Sequence, residues 1–252
     1  MNLAVVITHW GPAIPRRRLA DHWDWNDASY RAHCAQAYVV ADSPREVPDY
    51  ATVVLCREDL QPFSLSRTSN IGIRAALADG ADVIVKADPD ILWPSSTLGL
   101  CACLGDGRGI APVYRMAASR FAAETCAASC PAWSESHGTL CLHADTWREI
   151  NGYDERMSGY GVEDGDAALR ARRHIKLDRS PIVYHIAHSE GAGQCQGRGD
   201  HWGRDGVNPL HRRENMSLFN GSRSGRDPWT NEAWGLASSP HARPQRAEGE
   251  SE

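Results

Sequence analysis

DVIVKADPDILWPSS, residues 82–96, runs from an apolar β-type sequence directly into two aspartates separated by one proline. A short continuous apolar run of this kind is a strand buried on both faces, as in a parallel sheet. A carboxylate at the end of such a strand costs free energy unless something positive meets it. Asp88 and Asp90 are two apart, so in extended backbone their side chains share one side. Pro89 between them disfavours helix at Asp88 and removes one amide donor. Two carboxylates so placed repel unless a cation or a proton intervenes. Hard oxygen ligands suit Mg²⁺ or Mn²⁺, ions that commonly link a protein carboxylate to substrate phosphates. The alternative is a solvated turn, or a cap for a helix at SSTLG, because short acidic motifs are common.

Outward from this segment, LAVVIT (3–8), AYVVAD (37–42) and ATVVLC (51–56) repeat the buried-strand pattern. SLSRTSNIGIRAALADG (64–80) reads as a helix, with Ser66 as N-cap, Ile73 and Leu77 one turn apart, and Gly80 as its stop. GIAPVY (109–114), GTLCLH (138–143) and SPIVYHIAH (180–188) read as later strands, ADTWREING (144–152) and VEDGDAALRARRH (162–174) as helices. Strands alternating with helices predict an α/β fold, a Rossmann-like, mostly parallel sheet with helices on both faces. The basic run at 15–18 reads as a solvated turn. Past residue 221 Ser, Gly, Arg, Pro and Glu dominate, which predicts one domain over 1–221 and a disordered tail over 222–252.

The 252 residues carry a net charge of −5, which lacks the electrostatic footprint of a general nucleic-acid binder. No segment approaches the roughly 20 apolar residues that cross a bilayer, and MNLAVVITHW reads as a first strand rather than a leader. The eight cysteines form no CxxC pair; Cys141, in TLCLH, reads as a buried free thiol, and a Cys126–Cys130 bridge in CAASC stays open. Together these features predict a protein of the reducing cytoplasm.

Open α/β sheets bind ligands outside the carboxyl ends of their strands, where Thr8, Asp42, Asp88 and Asp90 all fall. NGYDERMSGYGVEDGDAALRAR (151–172) brings Glu163, Asp164 and Asp166 to a helix start through a loop with glycines 152, 159 and 161. The helix dipole and capping account for one or two of these acids, less easily for three beside Tyr153 and Tyr160. An aromatic face with carboxylate acceptors is what a sugar site uses. In VYHIAHSEG (183–191), His185 and His188 point to opposite faces of a strand unless it ends between them; one imidazole beside the acidic pair suits Mn²⁺ better than Mg²⁺. Arg67, Asn70 and Arg74 share one helix face. Arg67, in the first turn, is the candidate for reaching a diphosphate or a carboxylate, whereas Arg74 reads as ordinary polar surface.

In this order the pieces resemble a glycosyltransferase of the A fold over residues 3 to 190. SLSRTSNIGIRAALADGADVIVKADPDI looks like the region leading to the DxD motif of family 2 enzymes. GYDERMSGYGVEDGDAALR resembles the C-terminal galactosyltransferase segment of the β-1,4-galactosyltransferase and chondroitin-polymerase type. The resemblance implies that Asp88 and Asp90 are the DxD pair, with Asp90 the direct Mn²⁺ or Mg²⁺ ligand and His188 the late histidine ligand, His185 its competitor. It implies nucleotide-sugar contacts at Thr8, Asp42, Arg67, Asn70 and Asp88, acceptor or sugar contacts at Tyr160 and Glu163, and Asp164 as the acceptor-activating base. It also implies a UDP-linked donor, a sugar of the Gal, GalNAc or GlcNAc type, and transfer with inversion to a glycan, metabolite or peptide acceptor. Val162 stands where the galactosyltransferases carry a glycine before Glu-Asp. Competing readings are a sugar nucleotidyltransferase, which wants a glycine-rich basic loop after the first strand, and a non-catalytic nucleotide-sugar- or partner-binding domain of the same fold. A structural zinc on His185, His188, Cys195 and His201 has irregular spacing.

Overall fold

A computed structural model describes residues 1–9, 16–43, 45–56, 64–117, 132–133, 139–158, 162–186, 209–226, 229–231 and 233–235. In chain order the elements are β1 (Leu3–His9), α1 (Arg16–Ala32), β2 (Gln36–Ala41), β3 (Ala51–Leu55), α2 (Leu65–Ala78), β4 (Val83–Ala87), β5 (Ile91–Leu92) and α3 (Ser95–Ala102). There follow β6 (Arg108–Ile110), β7 (Val113–Ala117), β8 (Ala132–Trp133), β9 (Leu140–His143), α4 (Ala144–Glu149), α5 (Glu163–Ala171), β10 (Lys176–Asp178), β11 (Ile182–Ile186) and α6 (Pro209–Ser224).

The doubly apolar runs become the centre of a seven-stranded sheet of order β10-β6-β9-β4-β1-β2-β3. β3, β2, β1 and β4 are mutually parallel, while β9 enters antiparallel between β4 and β6. Alternation explains why these runs are apolar throughout. Leu3, Val5 and Ile7 face Leu19, Tyr30, Trp93 and Leu98 on one side; Ala4 and Val6 face Ile71, Ile73, Trp147 and Tyr153 on the other. Helix α2 comes so close to the sheet that a Cβ on Gly72 would stand 2.4 Å from Cγ1 of Val6 and 2.6 Å from Cγ2 of Val40. A second sheet, β5-β11-β7-β8, continues the chain beyond the aspartates.

Between β1 and β4 the strand order reverses: β1, β2 and β3 step one way, and β4 returns to the other side of β1. In open α/β sheets the loops at such a reversal diverge, and the carboxyl edge there is where ligands bind. His9, Ala41 and Ala87 end three of these strands, so Thr8, Asp42 and Asp88 line one edge.

Four local expectations change. Ser64, not Ser66, caps α2: its backbone is extended (φ −124°, ψ 109°) and its Oγ accepts from the Arg67 amide at 3.2 Å. The run 109–114 splits into β6 and β7, in different sheets, around Ala111 and Pro112, because proline lacks the amide a continuous ladder needs. The basic residues Arg16 to Arg18 open α1 rather than form a turn. The tail expected from residue 222 contains the end of α6 and two buried tryptophans, Trp229 and Trp234. Trp229 Nε1 donates to the Asn151 carbonyl at 2.7 Å, and Arg74 Nε donates to the Trp234 carbonyl at 2.7 Å. Two isolated aromatic anchors make no periodic pattern, so polar composition hid them. The possible Cys126–Cys130 bridge lies outside the described residues; Cys141 is a buried free thiol.

Candidate active site

The chain leaves β4 at Ala87, turns through Asp88, Pro89 and Asp90, and re-enters a strand at Ile91. The second sheet sets what meets these carboxylates. β5 pairs antiparallel with β11, with His185 opposite Ile91, and the Ile186 amide donates to the Asp90 carbonyl at 3.1 Å. This register delivers His185 Nε2 to 3.3 Å from Oδ2 of Asp90. His188 lies outside the described residues, as do Tyr160 and glycines 159 and 161.

Lys86 is the positive group the aspartates require. It lies in β4 with no exposed surface, and its Nζ is 2.5 Å from Oδ1 of Asp88. Burial works against the charged amine, but Asp88, Asp164 and Glu163 outweigh it and hold its pKa above the ordinary value. Burial pushes the Asp88 carboxyl up to about 6; Lys86 opposes this, and the charges of Asp90 and Asp164 add to it. The Lys86 ammonium is thus shared electrostatically among Asp88, Asp164 and Glu163. Lys86 precedes Asp88 by the same two-residue step that relates Asp88 to Asp90, and that spacing was the signal by which sequence reasoning could have included it.

Helix α5 supplies Glu163 and Asp164 from its first turn. Its N-cap, Val162, has φ 68° and ψ −9°, the left-handed conformation that glycine adopts without strain. Glu163 is buried, and Asp164 Oδ1 is buried without a hydrogen-bond partner among the described residues. The third acid serves structure: Asp166 pairs with Arg170 at 2.8 Å, and Arg170 also donates to the carbonyls of Ile150 and Gly152. The buried Tyr153 and Tyr114 also belong to this cluster. Burial raises both phenols well above their usual value, aided at Tyr153 by Asp164, Asp88 and Glu163, and at Tyr114 by Asp88.

The other expected contacts divide. Thr8 is buried at the end of β1 with its hydroxyl unpaired among the described residues. Asp42, just past β2, accepts from Arg45 Nη2 at 2.6 Å, and Arg45 Nε donates to His9 Nδ1 at 3.0 Å. Both therefore sit at the expected strand ends. Arg67 reaches a carboxylate, Oε2 of Glu155, at 2.5 Å. Asn70 does not reach the crevice. It is wholly buried, donates to the Tyr153 carbonyl (2.9 Å) and to Glu155 (2.8 Å), and accepts from the Tyr153 amide (2.8 Å). Its polar atoms are spent on the loop leading to α5, a role that helix-face spacing cannot distinguish from ligand binding.

Among the described residues no group of three or more His, Cys, Asp or Glu side chains is gathered closely enough to hold a metal ion by itself. The donor chemistry nevertheless suits a hard or borderline divalent cation: two strand-end carboxylates and an imidazole against one of them. Among the described residues no helix is long and apolar enough to cross a membrane.

A family model described as the N-terminal domain of galactosyltransferase matches residues 119–189, which include Glu163, Asp164, His185 and His188. No curated protein matches the chain in sequence. Among solved structures, S. aureus TarS 1–349 in complex with UDP-GlcNAc superposes with a TM-score of 0.58 at 12% identity, over 93% of this chain and 69% of that one. GalNAc-T7 with UDP, GalNAc and Mn²⁺ gives 0.54 at 12% identity, over 90% and 58%. The mannosyltransferase PcManGT from Pyrobaculum calidifontis, in complex with GDP-Man and Mn²⁺, gives 0.53 at 13% identity, over 91% and 66%. The chain thus spans roughly three fifths to two thirds of the lengths of these structures, and at such identities the likeness is one of fold.

Proposed function

We propose, from the glycosyltransferase A fold that this chain adopts, that the protein transfers a sugar from a nucleoside diphosphate sugar, UDP-linked, to an acceptor hydroxyl, with a divalent cation. The observation that carries this reading is the set Lys86, Asp88, Asp90 and His185 at the switch point of the sheet, electrostatically joined to Asp164 at the start of α5. Solved structures of this fold hold UDP-GlcNAc, or Mn²⁺ with UDP or GDP-Man, which supports a nucleotide-sugar donor here.

In this reading Asp90, with Asp88 and an imidazole from His188 or His185, holds Mn²⁺ or Mg²⁺, which when bound stabilises the charge on the departing diphosphate. Thr8 and Asp42 line the nucleoside end of the crevice. Arg67 fixes the Glu155 loop rather than the diphosphate. Asp164 accepts the proton of the acceptor hydroxyl while that oxygen bonds to the anomeric carbon and the bond to the diphosphate oxygen breaks on the opposite side. One displacement inverts the anomeric centre. Glu163 and Tyr160 flank the sugar or the acceptor.

Calorimetric titration with UDP, and then GDP, with and without Mn²⁺, tests the donor site against Asp90→Ala. Metal-dependent binding that Asp90→Ala abolishes is the expected result. Binding indifferent to both metal and Asp90 overturns the assignment. Once a donor and an acceptor are known, Asp164→Asn is expected to lower kcat by about 10²- to 10⁴-fold while donor binding persists.

A further inference from the structure

The segment Pro89–Trp93, which follows Asp88 and carries Asp90, is held from both edges, and the two edges are of different kinds. On one side β11 forms an ordinary ladder with β5. On the other side, among the described residues, lies the face of helix α1 in place of a strand. His22, Asn26 and Ser29 follow one another at helical spacing along that face and meet backbone groups at alternate positions, Pro89, Ile91 and Trp93. His22 Nδ1 is 3.1 Å from the Pro89 carbonyl, Asn26 Nδ2 donates to the Ile91 carbonyl at 2.9 Å, and Ser29 Oγ donates to the Trp93 carbonyl at 3.0 Å. The Trp93 amide in turn donates to Asn26 Oδ1 at 2.7 Å. The Asn26 carboxamide therefore binds the carbonyl before Leu92 and the amide after it, the same two groups that one residue of a parallel neighbouring strand would bind.

His22 completes the arrangement. A carbonyl only accepts, so Nδ1 carries the hydrogen, and Nε2 accepts from the Tyr30 hydroxyl at 2.9 Å. His22 and Asn26 have no exposed surface. Buried backbone groups left unpaired are costly, and on this edge α1 supplies their partners.

We infer that α1 acts as a surrogate strand, with His22, Asn26 and Ser29 as positioning residues that fix the backbone of Pro89–Trp93 and so aim the carboxylates of Asp88 and Asp90 at its start. The inference rests on the proposed donor site for its functional consequence, and on the hydrogen bonds alone for its structural part. It separates two tasks within one helix. The apolar residues Leu19 and Tyr30 pack α1 on the sheet, while the polar stripe of His22, Asn26 and Ser29 bonds the backbone of the neighbouring segment.

The test compares wild type, Asn26→Ala, Asn26→Asp, Ser29→Ala and a control destabilised elsewhere, Ile73→Val in α2, each verified as folded by circular dichroism. Two quantities are read: hydrogen exchange of the Trp93 amide relative to the Val85 amide within β4, and affinity for Mn²⁺ alone and for Mn²⁺ with UDP. Asn26→Ala is expected to accelerate Trp93 exchange, relative to Val85, and to lower Mn²⁺-dependent affinity, each about tenfold, the effect of one lost net hydrogen bond. Ser29→Ala should lower affinity by a smaller factor, and Ile73→Val should change neither reading. If Asn26→Ala does not fold, Asn26→Asp, which retains the acceptor and loses the donor to Ile91, carries the comparison with Ser29→Ala. Unchanged Trp93 exchange in Asn26→Ala, or an affinity loss in either Asn26 variant no greater than that of Ile73→Val, overturns the inference. If wild type binds neither UDP nor GDP with Mn²⁺, the donor reading fails, and Trp93 exchange with affinity for Mn²⁺ alone still decides whether α1 fixes the segment.

Discussion

Val162 holds a β-branched side chain in the left-handed region at the turn that presents Glu163 and Asp164. Such a conformation costs about 1–2 kcal/mol for a residue with a Cβ, whereas glycine gives up about 0.5–1 kcal/mol through its freer unfolded chain. Val162→Gly should therefore raise stability by roughly 0.5–1 kcal/mol, read as a higher urea midpoint. A lower midpoint would mean that packing of the half-buried valine outweighs the strain. At Asp88 the expectation concerns protons. A carboxyl pushed up to about 6 competes with a cation below that pH. Affinity for Mn²⁺ should be level above pH 6 and fall by about tenfold per pH unit below it, one proton being taken up for each ion lost. A titration series from pH 7.5 to pH 5 with no such break would remove Asp88 from the ion's surroundings.

At the scale of the element, the buried His22 gives α1 a pH-dependent contribution to stability. Burial pushes His22 down from 6.5 to about 4. Between those values the unfolded chain binds a proton that the native protein excludes, so stability rises with pH across the window. The contribution is complete above 6.5 and lost by about 4, and a shift of this size corresponds to about 3 kcal/mol. Asp88 acts in the opposite sense between its unfolded value of 3.8 and about 6, because there the native state holds the extra proton. The measurement is therefore a difference between chains. Denaturation curves of wild type and His22→Gln, recorded from pH 4 to pH 7.5, should diverge as pH rises through the window. Parallel curves would show that the imidazole takes up its proton alike in the native and unfolded chains, so that burial does not lower its pKa.

For the whole molecule, the segment after α6 works as a strap. Trp234 lies under the Arg74 guanidinium, 4.5 Å from ring centroid to Cζ, and so close to Gly152 that a Cβ there would be 2.5 Å from its ring. The Gly235 amide donates to Glu155 Oε1 at 2.6 Å, the carboxylate that Arg67 and Asn70 also hold. Trp234→Ala should cost about 3–5 kcal/mol in chemical denaturation, as for other buried tryptophans. A cost under 1 kcal/mol would return the strap to the status of a loose tail. The parallel sheet, α2, α5 and the carboxyl-edge crevice were legible in the sequence because each follows from local periodicity: a doubly buried strand must be apolar throughout, and a strand end must face a crevice. Lys86 was legible too, through its two-residue spacing from Asp88. What periodicity cannot carry is which distant group meets which. That Asn70 holds the Glu155 loop, that His185 comes to Asp90 through the β5–β11 register, that Asn26 of α1 bonds the backbone of Ile91 and Trp93, and that Trp229 and Trp234 dock on the core are all contacts between residues far apart in the chain. Only tertiary packing decided them, because a polar side chain on a helix face reads the same in sequence whether its partner is water, a ligand or the backbone of another element.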